Sequence, residues 1–234
     1  MEAVVLAGGQ GSRLLPVTAE LPKPLVPVGG KPVIEFLLRQ LRQGGVKRVC
    51  LAVNHLAHLI EEAIGDGSRF GLEVVYSREE EPLSTVGPIK LINDLPETFI
   101  VANGDILTDL NIESLFENHV ESGAELTVAT YRRDEQVDYG VLEAGSDNAV
   151  TGFSEKPTYS FHVSMGIYVF SRSVLDLVPE GKPFGFDELV LALLAAKRKV
   201  MSFPYQGYWL DIGRPADYAQ AQQDIERIQH LSGE

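Results

Sequence analysis

The run Val4-Val5-Leu6 stops at glycine, and Gly8, Gly9 and Gly11 place three glycines within four residues directly after it. An apolar run of this kind fits a buried strand, and a loop so poor in Cβ atoms lets several main-chain N–H groups approach one ligand. The segment Val33-Ile34-Glu35-Phe36-Leu37-Leu38-Arg39-Gln40-Leu41 then places apolar residues at helical spacing, with Pro32 as a first-turn proline and Gly44-Gly45 beyond its end. Strand, long loop and helix in this order predict the opening unit of an α/β sheet. The loop would lie at the carboxyl edge of the sheet, where such sheets bind ligands.

The alternation continues. Residues 46–53, 72–76 and 99–102 read as strands, 56–64 as a helix, and 111–120 as a helix opened by an Asn cap. Short strands then follow closely at 126–130, 140–143, 149–153 and 163–170, and helices at 188–196 and 217–228. No Pro/Gly/Ser-rich linker separates these strands from what precedes, so they are expected to join the same sheet as antiparallel or mixed members. The expected fold is α/β, a single-domain Rossmann-like three-layer α/β/α sandwich around a mixed, mostly parallel sheet.

At 234 residues and 44% hydrophobic, the chain can bury one large core. Its apolar runs, such as 189–196, fall far short of the ~18–20 residues a bilayer span needs, and Met1-Glu2 lacks a basic leader, so a cytoplasmic chain without a membrane partner is expected. Cys50, the single cysteine, lies between Val49 and Leu51 and reads as a buried strand thiol. The net charge of −13 is uneven: residues 1–60 carry +4 and residues 61–234 carry −17. This balance disfavours a nucleic-acid polymer, which selects positive stripes, and leaves room for a small anionic ligand held by the basic opening segment.

The strongest motif is Leu6-Ala7-Gly8-Gly9-Gln10-Gly11-Ser12-Arg13-Leu14, followed by Pro22-Lys23-Pro24-Leu25 and Gly29-Gly30-Lys31-Pro32. Its main-chain N–H groups suit phosphate oxygens, and Arg13 and Lys23 add the charge a triphosphate requires. Leu14 stands where the third glycine of a dinucleotide fingerprint belongs, and Pro32 follows Gly30-Lys31 where a P-loop needs Ser or Thr. A glycine-rich turn with solvated basic residues is the competing reading. Asn103-Gly104-Asp105 sets a carboxylate at a strand end, suited to holding Mg²⁺ against phosphate, or forms an ordinary turn. Asp211 offers a second carboxylate, and Mg²⁺ commonly takes one or two. Lys156, fixed ahead of Pro157, suits a phosphate or is simply solvated. His55 and His58 read as surface or cap residues rather than metal ligands, and no Gly-x-Ser-x-Gly elbow occurs.

Taken together these residues resemble the sugar-phosphate nucleotidyltransferase family, the nucleoside-diphosphate-sugar pyrophosphorylases, and within it the mannose-1-phosphate and heptose-1-phosphate guanylyltransferase branch. Seven segments match in order: the Leu6 loop with Pro22-Lys23-Pro24-Leu25, Glu81-Pro82-Leu83-Ser84-Thr85-Val86-Gly87, Asn103-Gly104-Asp105, Tyr139-Gly140-Val141-Leu142-Glu143, Phe153-Ser154-Glu155-Lys156-Pro157, Ser164-Met165-Gly166-Ile167-Tyr168 and Trp209-Leu210-Asp211-Ile212-Gly213. Ser84, Val86 and Ser164 depart from that branch, which usually shows Gly, Ala and Asn there. The departures concern base and sugar. The chain is also expected to lack the left-handed β-helix of many relatives, since it stops at the helix after Asp211.

The resemblance implies the nucleotide-diphospho-sugar transferase fold in one domain over 1–234, with a nucleotide-binding half at 1–110, a sugar-binding half at 111–228 and a frayed tail at 229–234. It implies nucleotidyl transfer from a nucleoside triphosphate, GTP favoured, to a sugar 1-phosphate, with Mg²⁺ as cofactor. Leu6, Ala7, Gly8, Gly9, Gly11, Ser12, Arg13, Lys23, Thr85, Gly87, Asn103 and Gly104 would bind the nucleotide, Gly87 at the base. Gly140, Glu143, Glu155, Lys156, Ser164 and Trp209 would bind the sugar phosphate. Asp105 and Asp211 would hold the metal, and Arg13, Lys23, Asp105, Lys156 and Asp211 would form the catalytic set. A sugar phosphate oxygen is already an anionic nucleophile, so no activated serine or cysteine is required. Thymidylyl or uridylyl transfer to glucose 1-phosphate, a non-catalytic nucleotide-sugar sensor, and assembly with further copies of the chain remain open.

Overall fold

The computed structural model describes residues 1–9, 11, 14, 18 and 20–231. In chain order these form β1 (Glu2–Leu6), β2 (Pro27–Val28), β3 (Lys31–Pro32), α1 (Val33–Gln43), β4 (Arg48–Val53), α2 (Ala57–Ile64), β5 (Glu73–Arg78), β6 (Thr98–Asn103), β7 (Ile106–Thr108) and α3 (Ile112–Ser122). There follow β8 (Leu126–Gln136), β9 (Val141–Ala144), β10 (Val150–Ser154), β11 (Thr158–Ser171), α4 (Phe186–Ala195), β12 (Val200–Tyr205), β13 (Trp209–Asp211), α5 (Pro215–Gln223) and α6 (Ile225–Leu231). Seven strands make one sheet in the order β12-β8-β11-β6-β1-β4-β5. Neighbours are parallel except where β11 meets β6 and β8, so six strands run one way and β11 the other.

The central strands are apolar throughout because both of their faces are covered. Ala3 and Val5 face one layer with Val49, Leu51 and Val53, packed by Leu37, Leu38, Ile60 and Leu115 of α1, α2 and α3. Val4, Cys50 and Ala52 face the other, packed by Leu189 and Leu193 of α4 and by the short helical turns holding Ile89 and Val174. This is the expected three-layer sandwich with a mostly parallel sheet. Burial pushes the Cys50 thiol up to about 11, as a strand thiol without solvent should behave. A third cluster ties Val33 and Phe36 of α1 to Tyr208, Ile212, Ala221 and Ile228, which pins the C-terminal segments beside the carboxyl edge. No helix among the described residues is long and apolar enough to cross a membrane.

Several expectations change. The strands anticipated at 140–143 and 149–153 do not join the sheet; β9 and β10 pair only with each other. The physical reason is that β8 and β11 pair directly from Gln136 and Thr158 inward, so the residues between them are looped out of the ladder. Both strands are longer than anticipated. β12 was not foreseen, and with Pro204 in it the strand belongs at a sheet edge, where it lies. The helix expected over 217–228 is two, broken at Asp224, whose carboxylate accepts from Tyr208 Oη at 3.2 Å and Gln220 Nε2 at 2.9 Å. α6 runs to Leu231, and the end of the tail expected to fray, 232–234, lies outside the described residues. Pro32 caps α1 rather than entering its first turn, while Asn111 caps α3 as expected, accepting from Ser114 N at 2.9 Å.

Candidate active site

Strands β6, β1, β4 and β5 are neighbours running in one direction, so the residues that follow them meet along one edge. Leu6, Ala7 and Gly8 continue β1, Asn54 and His55 follow β4, Glu79 follows β5, and Asn103 and Asp105 close β6; all line a cleft of 510 Å³. Main-chain bonds knit this edge: Ala7 N donates to Ala52 O at 2.8 Å and Gly104 N to Leu6 O at 2.9 Å. The three loop glycines serve different purposes. A Cβ at Gly8 would lie 2.9 Å from Glu79 Oε1 and 3.2 Å from Asn54 Cβ, and Gly11 has φ +63° with Thr18 Cγ2 at 3.0 Å, so both are packing requirements. A Cβ at Gly9 would meet nothing within 4 Å, which leaves its backbone open to a ligand.

Lys23 opens a short helical turn, Lys23–Leu25, and its side chain is only 13% exposed. Its ammonium pairs with the Asp105 carboxylate and stands 3.6 Å from Asp211 Oδ1. The two aspartates are 106 residues apart in the chain. The β13–β7 ladder pairs Asp211 with Ile106, and Ile212 N donates to Asp105 O at 3.1 Å, which brings them to one place. Two carboxylates converging on one cation, here the Lys23 ammonium, are the donor chemistry that Mg²⁺ takes, its shell completed by phosphate oxygens and water. Among the described residues no group of three or more His, Cys, Asp and Glu is placed to hold a metal ion.

Of the residues anticipated for the nucleotide, Leu6, Ala7, Gly8, Gly9, Gly11, Lys23, Thr85 and Asn103 line the cleft. Gly104 lies beside it through its bond to Leu6. Gly87 does not line it: the residue is buried, and a Cβ there would come 2.8 Å from Leu83 Cβ and 3.1 Å from Lys182 O. Ser12 and Arg13 lie outside the described residues.

The residues anticipated for the sugar divide into two groups. Gly140, Glu143, Glu155 and Lys156 sit on or next to the β9–β10 ribbon; all are exposed and none lines the cleft. The Phe153 ring covers Gly140, 2.7 Å from where a Cβ would stand. Ser164 and Trp209 are instead joined to the cleft wall. Trp209 Nε1 donates to Met165 O at 3.0 Å, Ser164 Oγ donates to Tyr168 Oη at 3.0 Å, and a Cβ on Gly166 would lie 2.6 Å from Asn103 Nδ2. Burial raises the Tyr168 phenol, the nearby Asp211 charge adding to it.

Asn54 and Glu79 escaped sequence reading although each directly follows a strand, the signal that marks a carboxyl edge. His55, expected at the surface with His58, is exposed but stands in the cleft wall.

A family model described as nucleotidyl transferase matches residues 2–228. The mannose-1-phosphate guanylyltransferase catalytic subunit beta of Drosophila pseudoobscura pseudoobscura is 34% identical over 92% of this chain and 60% of its own length. The UTP–glucose-1-phosphate uridylyltransferase of Synechocystis is 35% identical over 94% of this chain and 62% of its own. The chain thus spans less than two thirds of these curated relatives. The crystal structure of HddC from Yersinia pseudotuberculosis complexed with GMP-PN superposes with a TM-score of 0.74 at 29% identity, covering 96% of this chain and 99% of that one.

Proposed function

Since the chain belongs to the nucleotidyl transferase family, we propose that it transfers a nucleotidyl group from a nucleoside triphosphate, GTP favoured, to the 1-phosphate of mannose or another hexose or heptose, giving an NDP-sugar and pyrophosphate. The observation that carries this reading is the Lys23 ammonium held between Asp105 and Asp211 at the edge of a glycine-lined cleft. A sugar phosphate oxygen bonds to the α-phosphorus, the bond from that phosphorus to its bridging oxygen breaks, and pyrophosphate leaves with the electron pair. No protein nucleophile takes part. The work of the chain is to align two anions that repel each other and to neutralise the charge they gather.

Lys23 supplies one positive charge at this point, and Arg13 is expected to add a second to the triphosphate. Gly8, Gly9 and Gly11 present main-chain N–H groups to phosphate oxygens. Asp105 and Asp211 would hold Mg²⁺, which when bound neutralises phosphate charge. Thr85, Asn103 and Gly104 serve the nucleotide, with Gly87 packed behind them rather than at the base, and Gly140, Glu143, Glu155, Lys156, Ser164 and Trp209 serve the sugar phosphate. The setting is cytoplasmic, with no nucleic-acid polymer as partner. What supports guanine is the relative named a mannose-1-phosphate guanylyltransferase and the neighbour with GMP-PN. The relative named a uridylyltransferase favours a second reading, UTP with glucose 1-phosphate.

Pyrophosphate release over a grid of triphosphates and sugar 1-phosphates tests both. The expected result is Mg²⁺-dependent release, best with GTP. At least tenfold better use of UTP or dTTP would replace the base assignment, and silence with every pair would favour a nucleotide-sugar sensor.

A further inference from the structure

Helices α1 and α2 turn polar residues to solvent: Arg42 and Gln43 of α1 and His58 and Glu62 of α2 are exposed. On α4, which packs on the opposite face of the sheet, this pattern fails. Leu189 and Leu193 are buried in the core with Phe170, yet Leu191 is 65% exposed and Leu194 56%. Asp187, Leu191, Leu194 and Ala195 stand at i, i+4, i+7 and i+8, so they share one face, and all four are exposed. A helix that is apolar on both sides is suited to being covered on both sides.

The charges at its two ends indicate what covers it. Asp187 and Glu188 lie in the first turn, and Lys197 follows directly beyond the last. Arg198 is engaged by Glu125 and by Ser173 Oγ, whereas among the described residues neither Asp187 nor Lys197 has an ion-pair partner within the chain. A chain of net charge −13 repels its own copies, so one copy approaches another favourably only where local charges of opposite sign meet. An antiparallel pairing of α4 with α4, about a two-fold axis beside Ala192, meets this condition twice. Asp187 of each copy comes beside Lys197 of the other, and Leu191 and Leu194 of both copies close on one another between these pairs. A parallel pairing would set acid against acid and base against base. Two-fold symmetry also closes the assembly, because the same patch serves both copies. With 10 residues, α4 is about 15 Å long, so the interface falls at the small end, below about 1,200 Å², and the dimer should depend on concentration.

We propose that the outer face of α4 is an interaction surface for a second copy of this chain, the two helices packing antiparallel through Leu191 and Leu194 with an Asp187–Lys197 pair at each end. This is independent of the nucleotidyl-transfer reading, and no substrate is needed to test it. The experiment is sedimentation equilibrium of the full chain across the micromolar range. It compares the wild type with Leu194→Asp, Asp187→Lys, Lys197→Glu and the double variant Asp187→Lys/Lys197→Glu, and thermal midpoints record that each is folded.

The wild type should pass from monomer to dimer as concentration rises. Leu194→Asp should weaken association by at least about tenfold, and each single charge reversal by about two- to fivefold. The double variant restores opposite signs across the two-fold axis and should return to within about twofold of the wild type. The charge reversals, at exposed positions, decide on their own if Leu194→Asp lowers the midpoint. A wild-type chain that stays monomeric throughout, a dimer indifferent to a folded Leu194→Asp, or a double variant that associates no more tightly than the single ones would each overturn the proposal.

Discussion

Along the carboxyl edge of the sheet, candidate side chains hang from main chain that is itself buried and bonded: Asp105 follows β6, whose Phe99, Ile100, Val101 and Ala102 are fully enclosed, and Lys23 is fixed against it. On the β9–β10 ribbon the candidates hang from main chain with solvent on both faces. Leu142, opposite Phe153 in the ladder, is 60% exposed and Phe153 63%. The contrast separates two ways in which a residue can serve a ligand. Groups preorganised on a rigid edge can stabilise charge that appears only in the transition state, without reorganising. Groups on a weakly packed ribbon must be ordered by the ligand they bind, so their loss should appear chiefly in KM.

The largest expected effect is at the edge. Asp105→Asn keeps the volume and removes the charge, and should lower kcat by ~10²–10³ with the thermal midpoint preserved; Asp211→Asn, at a more exposed carboxylate, should cost less. Steady-state kinetics at saturating Mg²⁺ measure both, and near-wild-type kcat in Asp105→Asn would remove the edge from the chemistry.

Stability should divide in the same way. Leu38 is fully buried between α1 and the sheet, so Leu38→Ala should cost about 2–5 kcal/mol. Phe153→Ala on the ribbon should stay within about 0.5 kcal/mol of the wild type by urea denaturation. A large loss at Phe153 would mean the ribbon is packed in solution.

Lys156→Ala should raise KM for the sugar 1-phosphate by about ten- to a hundredfold, the worth of one charge-assisted phosphate contact of ~1.5–3 kcal/mol, with a smaller change for the triphosphate. Lys156 has φ +44° in the turn between β10 and β11. If only triphosphate binding weakens, the ribbon serves the nucleotide instead.

The smallest effect concerns pH. His119 is buried on α3, its ring nitrogens 2.9 Å from Thr127 Oγ1 and 3.1 Å from Ser171 Oγ, and burial holds its pKa below the usual 6.5. The unfolded chain therefore binds the proton at higher pH than the folded one. The contribution is fully present above about pH 6.5 and is lost as pH falls from there toward the depressed folded value. Denaturation at pH 7.5 and 5.5 should show this loss in the wild type and a smaller one in His119→Gln.

The edge was legible in sequence because its signals are local. Apolar runs that stop at Gly8 and at Asn103-Gly104 mark strands whose ends carry chemistry, and the unbroken apolar run Val4-Val5-Leu6 is that of a buried strand. The ribbon was misplaced because the pattern at 140–143 and 149–153 reads the same whether a strand joins a sheet or pairs with one neighbour; the choice was made by β8 and β11 closing on each other. The meeting of Asp105 with Asp211 depended on β13, three residues long and paired only with β7, too short for periodicity to reveal.

The central claim is that Asp105 and Asp211 hold the cation around which Lys23 and the glycine loop arrange the phosphates. A Mg²⁺ titration of pyrophosphate release from GTP and a sugar 1-phosphate, begun in chelator, tests it most directly. The account predicts no release in chelator, full recovery in the wild-type protein as Mg²⁺ is added, and recovery in Asp105→Asn to no more than about a hundredth of the wild-type rate at any Mg²⁺ concentration. Release that persists in chelator, or an Asp105→Asn protein restored to the wild-type rate, would contradict it.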